Sequence, residues 1–327
     1  MAPLNDEFYD VLRPQKPLYI MNKSAENESA GCPELNVSVF LPLSLISREI
    51  HLVLQTADHC TGWFTQWDPK QWRQAHLRSV TIRGVPRGAL PLQARLVPEN
   101  EFVDLIRLVG LPVSQDCSSN GATFLDVQNV SKCNAAVLLK LLNAMRKNFK
   151  GVLFHDFRDN EFSVAFSKFL LRYVTEARFL SHLTLNQCRF DKLLLQSLAP
   201  LFNAKDDLLS VDLRRSECRF DAECVLVFAD KWKSSIGRHS VKPEKQILTC
   251  LESNLEWNKL KKAYGRLHRD RWQNEYISIG HPKGRSSLML SYEFFDRVRM
   301  LRISVCVFDP EAVADWSLQQ LFGSLAI

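Results

Sequence analysis

At 327 residues, with 46% apolar and 24% charged side chains, the chain has an ordinary globular composition and is long enough for one large domain or two of average size. No run approaches the roughly 18 to 20 apolar residues that cross a bilayer, and the acidic opening does not resemble a secretory signal. These features exclude a membrane-spanning chain and predict an intracellular protein, cytoplasmic or nuclear, without a membrane partner.

The formal charge of +6 is concentrated in one segment of the chain. Between Lys231 and Arg285 there are 13 Lys and Arg against 5 Asp and Glu, whereas the rest of the chain is slightly acidic. This segment is the one compositional indication of a partner. The 9 cysteines are scattered and form no CxxC pair, which is typical of reduced thiols and predicts neither a structural zinc nor another cofactor.

Residues 1–31 are predicted to form a short helix followed by a mobile linker. Phe8 and Leu12 lie one helical turn apart, and prolines and a polar stretch follow them. After the linker, residues 36–55 are rich in branched side chains and predict two strands, with Pro42 at a break or an edge.

Residues 32–236 alternate between strand and helix patterns and are predicted to form one α/β domain. The paired apolar positions of successive strands begin at intervals of 27, 31 and 28 residues, at Leu125, Val152, Leu183 and Val211. This interval is close to that of leucine-rich repeats, roughly 20 to 29 residues, and also fits any layer of strand and helix. We therefore expect a curved, largely parallel sheet of leucine-rich-repeat-like units that share one core.

Capping residues mark the turns from strand to helix. The word CRFD occurs at Cys188 to Asp191 and again at Cys218 to Asp221. Its Phe is predicted to pack beneath the following helix, and its Asp to cap that helix at about 1 kcal/mol relative to Ala. The alternative, in which Cys188 and Cys218 form a thiol pair, lacks the CxxC spacing. A further helix is predicted to begin at Ser131.

Residues 237–327 are predicted to form a smaller basic region packed on the main domain. Its first element is an amphipathic helix with one apolar stripe, formed by Leu251, Leu255, Leu260, Tyr264 and Leu267. A β-hairpin follows, in which Ile277 and Ile279 face Leu288 and Leu290. A strand and a capped helix are predicted to complete the chain.

Strand-end polar residues are the first candidate binding group. Side chains at equivalent places in successive parallel strands line up, so His155, Asp156 and Asp212 are predicted to form a polar row on a concave face. Solvated turn residues would explain these three side chains equally well. An enzyme of unknown class using the row is an alternative, although no catalytic or phosphate-binding motif is present.

Cations in the predicted basic helix are the second candidate group. Spacings of three or four residues place them on one helical face: Lys259, Lys262, Arg266 and Arg269. Aromatic residues lie between them, and nucleic acid needs both phosphate-neutralising charges and aromatic platforms. Nucleic-acid binding through residues 257–272 is therefore one hypothesis, and a solvated face whose apolar stripe packs on the sheet is the other.

Four stretches carry a resemblance to a known family: MAPLNDEFYDVL, FLSHLTLNQCRFDKLLLQSLAPLF, LEWNKLKK and YISIGHPKGRSSLMLSYEFF. In pattern and order they are similar to nematode F-box-associated and F-box-like proteins. The resemblance implies a leucine-rich-repeat-like α/β region that recognises substrates, joined to an F-box that docks on a ubiquitin-ligase scaffold. The polar stretch after Leu12 departs from the helices of an F-box, so only the recognition surface carries over.

The function expected from the sequence is that of a non-catalytic module that binds another protein. Layers of this kind cannot each bury their own apolar face, and stacking them leaves an extended surface suited to a protein partner. Substrate recognition in ubiquitination is the specific role that we expect, and nucleic-acid binding or an enzyme activity are the alternatives.

Overall fold

The computed structural model describes residues 34–56, 63–64, 75–86, 88–114, 123–157, 160–177, 179–202, 209–235, 245–265, 267–269, 274–283, 286–295 and 298–307. The predicted N-terminal helix and linker of residues 1–31 and the predicted closing helix lie outside these residues. Within them, no helix is long and apolar enough to cross a membrane.

The described strands are β1 Glu34–Pro42, β2 His51–Thr56, β3 Trp63–Phe64, β4 His76–Val85, β5 Arg95–Leu96, β6 Phe124–Gln128, β7 Gly151–Phe157, β8 His182–Cys188, β9 Leu209–Asp212, β10 Lys245–Thr249, β11 His268–Arg269, β12 Glu275–Gly280, β13 Ser286–Phe295 and β14 Val298–Val307. The described α-helices are α1 Phe102–Val109, α2 Ala135–Ala144, α3 Asn160–Glu176, α4 Leu193–Phe202, α5 Ala222–Lys233 and α6 Asn254–Tyr264. A 3₁₀ turn, Glu99–Glu101, precedes α1.

These strands form one sheet in the order β11-β12-β13-β14-β10-β9-β8-β7-β6-β4-β1-β2-β3, and β5 pairs with β2 beside that path. Neighbours from β1 through β4 and β6 to β10 are parallel. The strands at both ends are antiparallel to their neighbours. The predicted α/β class with a largely parallel central sheet is therefore confirmed.

The regularly spaced apolar residues lie side by side across the central strands. Leu125 pairs with Val152, Val152 with Leu183, and Leu183 with Val211. Ile247 of β10 continues the same row. All of these side chains belong to one continuous buried core. The apolar residues that recur at regular intervals in the sequence therefore form one row across the sheet.

The described helices form a layer against the buried side of the sheet. Each helix from α1 to α6 contacts the next one along the chain. In the middle of the layer, the Phe154 ring of β7 packs edge-on against Phe166 and Phe169 of α3, at centroid distances of 5.1 and 6.1 Å. Because consecutive helices are neighbours, they share one face of the sheet, and the opposite face of the parallel strands carries none of the described helices.

The CRFD turns have the structure that the sequence predicted. Asp221 accepts a hydrogen bond from the backbone N–H of Cys224 at 2.9 Å and caps α5, and Asp191 accepts one from Leu193 at the start of α4, also at 2.9 Å. Phe190 and Phe220 are buried beneath these helices. Both words therefore serve as strand-to-helix connections.

The predicted start of α2 at Ser131 is wrong. α2 begins at Ala135, and the side chain of Asn134 accepts the hydrogen bond from Val137 N–H that defines the cap. Ser131 instead donates its hydroxyl to Asp156 at 2.9 Å. Asn and Ser are equally good capping residues, so the sequence offered two starts and the turn after β6 selected the later one.

The strands of residues 237–327 extend the same sheet. β10 is parallel to β9, and β14 then pairs with the other edge of β10 in the antiparallel sense. Further out, Ile277 of β12 lies opposite Leu290 of β13, and Ile279 lies opposite Leu288. All four side chains are buried in the core that the central strands share.

Candidate interaction surface

The open face of the sheet is the side turned away from the helices. In the parallel strands buried residues largely alternate with half-buried ones, and the buried apolar residues form one core with those of the helices. We define the open face by the alternating side chains Thr81, Arg83, Asp126, Gln128, Leu153, His155, Thr184, Asn186, Asp212 and Leu248. Most of them are polar, whereas the side chains on the other face of the same strands are mostly apolar.

Strand register arranges the open face in two rows. The first row contains Thr81, Asp126, Leu153, Thr184, Asp212 and Leu248. The second row contains Arg83, Gln128, His155 and Asn186. Neighbours in a row are separated by the strand spacing of about 4.8 Å, so their side chains contact one another.

The predicted row of His155, Asp156 and Asp212 is not formed. His155 belongs to the second row, whereas Asp212 belongs to the first row and lies two strands away, or about 10 Å. Asp156 has a left-handed backbone, with φ of 64°, and its carboxylate is occupied by Ser131. The three side chains therefore do not converge on one point, which an active site built from them would require.

A break in strand alternation explains the error. Asn129, Asp156 and Gln187, at the ends of three neighbouring strands, have positive φ values of 56°, 64° and 52°. The left-handed residue turns the following side chain inward, so Phe157 and Cys188 are both buried and lie opposite each other. Simple alternation, which the sequence analysis assumed, does not predict this turn.

Asp126 and Arg83 accompany His155 on the open face. Gln128 Nε2 donates to both carboxylate oxygens of Asp126, at 2.9 and 2.8 Å, and Arg83 Nη2 lies 3.9 Å from Asp126 Oδ2. Burial raises the pKa of Asp126 above its ordinary value, against the opposing effects of Gln128, Arg83 and His155. Arg83 and Gln128 were not predicted, although each follows a buried strand residue, Ile82 or Val127, and alternation then places it on the other face.

Asp212 is held by an arginine that follows it in the same segment. Arg214 Nε donates to Asp212 Oδ1 at 3.0 Å, and Nη2 donates to Oδ2 at 2.7 Å. Burial alone would raise the pKa of Asp212, but the hydrogen bonds from Arg214 outweigh it, and the pKa lies below its ordinary value. Asp212 is therefore a charged, paired group at neutral pH, suited to fixed polar contacts rather than to proton transfer.

Two buried polar atoms of the second row have no partner in the part of the chain that the structure describes. They are the acceptor Asn186 Oδ1 and the donor Arg83 Nε. Leaving such an atom unpaired costs about 1–3 kcal/mol, so most buried polar groups are paired. Because both atoms are enclosed, they are a local energetic cost of the fold, and a partner on the open face would contact the half-buried parts of these side chains instead.

The basic helix is shorter than predicted. α6 ends at Tyr264, and Gly265, with φ of 68°, forms a left-handed C-cap whose N–H donates to Lys261 O at 2.9 Å. The predicted apolar stripe is confirmed in part: Leu260 is buried and Tyr264 packs against the core, whereas Leu255 is 68% exposed. Trp257, which the stripe did not include, is buried in its place. The glycine was the available signal, since glycine commonly stops a helix.

The structure does not place the four predicted cations on one helical face: Lys259, Lys262, Arg266 and Arg269. Lys259 and the exposed Lys262 lie in α6, Arg269 lies in β11, and Arg266 lies outside the described residues. Lys259 pairs with Glu256 at 2.8 Å, and Arg269 lies 3.6 Å from Glu275. The nucleic-acid hypothesis for residues 257–272 therefore loses the continuous helical face on which it rested.

The buried thiols near the open face are structural. Burial raises the pKa of Cys188 to about 12 and that of Cys218 to about 11, so neither is a thiolate at neutral pH. Cys188 Sγ lies 3.3 Å from Phe154 O in the neighbouring strand and 3.2 Å from Asn186 O in its own strand, so either carbonyl can accept its proton. Within the described ranges, no three His, Cys, Asp or Glu side chains are grouped so that they could hold a metal ion.

No known protein family, no curated protein and no solved structure matches this chain. The geometry of the open face is therefore the main indication of its function.

Proposed function

We propose that this chain is a non-catalytic module that binds another protein on the open face of its sheet. The observation that supports this most is the second row, where the half-buried polar side chains of Arg83, Gln128, His155 and Asn186 lie side by side on four neighbouring strands. The seven parallel strands that the structure describes span roughly 30 Å, which is about the length of a 20-residue helix. A polar surface of this width suits a protein segment better than a small molecule.

The proposal includes the architecture: leucine-rich-repeat-like units with the sheet curved around the open face. The unit at β8 supports it, because its buried residues follow the consensus L-x-x-L-x-L-x-x-C-x-L with Phe in the last place: Leu180, Leu183, Leu185, Cys188 and Phe190. The thiol of Cys188 lies within hydrogen-bonding distance of Phe154 O in β7, which belongs to the previous unit. Stacked units of this kind present an extended concave surface.

The resemblance to F-box-associated proteins gives the proposal its specific form, which is substrate recognition in ubiquitination. In this form the open face binds the substrate, and a different surface of the molecule contacts the ligase. Substrate binding and ligase binding can be tested separately, because a variant that loses the substrate need not lose its contact with the ligase scaffold.

Substitutions on the open face test the proposal. Asn186→Arg places a bulky cation and His155→Glu an anion in the second row, and Lys168→Glu changes an exposed residue of α3 on the helix side. Full-length variants are expressed in native cells and their partners are quantified by proximity labelling. We expect the labelling of wild-type partners to fall at least tenfold in both open-face variants, which corresponds to a loss of about 1.4 kcal/mol of binding free energy. With Lys168→Glu the labelling should persist.

Equal labelling by all three variants and the wild type would contradict open-face binding. Thermal melting of each purified variant checks that a lost partner does not reflect an unfolded protein. For the specific role, a ligase scaffold subunit should persist among the proteins labelled by Asn186→Arg. Its absence from the wild-type set would remove the link with ubiquitination and leave the open-face proposal intact.

A further inference from the structure

A cleft beside the N-terminal end of α2 is separate from the open face. Its volume is about 400 Å³, which is within the range of sites for small ligands. It lies between the segment that precedes β2, the 3₁₀ turn before α1, and the first turns of α1 and α2. None of the side chains that define the open face lines it.

One wall of the cleft is apolar. Ile50, which is 3% exposed, and Val137 of α2 are buried, and the ring of Phe102 at the start of α1 is half-buried. These residues come from three different elements, so the wall depends on the packed fold rather than on a single loop. It offers a surface for the hydrocarbon or aromatic part of a ligand.

The other wall carries positive charge. Lys140 Nζ lies 5.9 Å from the centroid of the Phe102 ring, and Arg48 lines the same cleft. Neither cation forms an ion pair with a residue that the structure describes. Among the described residues that line the cleft, Glu99 is the single acid, so the charges of Arg48, Lys140 and Glu99 sum to one positive charge.

The first turn of α2 adds to this positive potential. Asn134 lines the cleft, and its side chain accepts the hydrogen bond of Val137 N–H. The N–H groups of Ala135 and Ala136 have no acceptor within the helix, because the first turn of a helix has none, and the helix dipole is positive at this end. An anionic group in the cleft would therefore meet two side-chain cations and a helix terminus.

We propose that this cleft binds a small apolar carboxylate. The apolar part of the ligand lies against Phe102 and Val137, and its carboxylate lies between Arg48 and Lys140. A free organic acid and the C-terminal residue of a peptide both present this chemistry. The proposal is independent of partner binding on the open face.

Binding of three probes to the full-length protein tests the proposal. Calorimetry is carried out with N-acetyl-L-phenylalanine, with its amide and with octanoate, the first as a peptide terminus and the last as a free acid. We expect at least one carboxylate to bind and the amide to bind at least tenfold more weakly than N-acetyl-L-phenylalanine or octanoate. Tighter binding of either acid than of the amide supports the proposal. Whichever acid binds more tightly shows whether the ligand is a peptide terminus or a free organic acid. Equal affinity for acid and amide, or no saturable binding at millimolar probe, overturns it.

Variants of the charged wall provide the second measurement. Lys140→Ala and Arg48→Ala are expected to weaken carboxylate binding by about tenfold each, the size of one charge-assisted hydrogen bond. Glu99→Gln is expected to strengthen it severalfold, because it removes the one opposing charge. Lys168→Ala, an exposed cation on α3, is the matched control and should leave the affinity unchanged. Unchanged affinity in both Lys140→Ala and Arg48→Ala would overturn the proposal.

Discussion

The carboxylate of Glu256 in α6 accepts a hydrogen bond from the backbone N–H of Ala222, the first residue of α5, at 2.9 Å. Lys259 Nζ donates to the other oxygen of the same carboxylate at 2.8 Å. A side chain of α6 therefore caps the N-terminus of α5, in addition to the local cap that Asp221 supplies. The hydrogen bonds from Lys259 and Ala222 hold the pKa of Glu256 below its ordinary value.

The stability contributed by Glu256 should depend on pH. Because its pKa is lower in the folded state, the contribution is present above the unfolded pKa, about 4.3, and is lost as the pH falls through the folded value. We expect Glu256→Gln to lower the melting temperature at pH 7 and the difference from the wild type to shrink below pH 4.3 or so. Circular dichroism melts across this range measure it. Glu223→Gln, at an exposed site in the first turn of α5, is the control, and an equal effect of both would contradict the cap.

The row of apolar residues across the sheet should dominate stability. Leu183 is fully buried between Val152 and Val211, and we expect Leu183→Ala to lower the free energy of unfolding by about 3 kcal/mol through lost transfer energy and a cavity. Thr184→Ala, one residue along on the open face, should cost less than about 1 kcal/mol. Urea denaturation measures both. Similar losses at the two sites would show that β8 does not separate a core side from an open side.

The pair of Asp212 and Arg214 should contribute a modest, salt-dependent coupling. The two side chains are 29% and 30% exposed, so solvent screens their bidentate contact, and we expect a coupling energy of about 0.5–1 kcal/mol. A double-mutant cycle with Asp212→Asn and Arg214→Gln, followed by urea denaturation, measures it. The coupling should decrease in 1 M salt, where the Debye length is about 3 Å. A zero coupling at low salt would contradict the pairing.

The left-handed residue at the end of β8 should tolerate glycine. A non-glycine residue at positive φ costs about 1–2 kcal/mol, and glycine avoids this at an entropic cost of about 0.5–1 kcal/mol. We therefore expect Gln187→Gly to raise the free energy of unfolding by about 0.5 kcal/mol. Thr184→Gly, within the regular part of the strand, should lower it by about 1 kcal/mol. Equal losses would mean that residue 187 is not left-handed in solution.

Local signals in the sequence located the elements more reliably than their ends. The caps Asp191 and Asp221 were predicted because a carboxylate before an apolar run is a local signal with a local physical cause. The end of α6 was missed because the apolar spacing beyond Gly265 continued a helical pattern, and the left-handed cap interrupted it. For the open face, His155 and Asp212 were predicted at the surface, but their relative positions depended on a backbone turn at residue 156 that alternation does not contain.

By itself, the sequence determined which residues of the central strands enter the core and in what order the layers follow, because apolar spacing and capping residues act over a few positions of the chain. Leu125, Val152, Leu183 and Val211 became neighbours for this reason. Only the tertiary structure decided which polar groups meet, such as Asp126 with Arg83 and Glu256 with Ala222. Those pairs are 43 and 34 residues apart, and strand register and helix packing, rather than any local preference, bring them within hydrogen-bonding or ion-pairing distance.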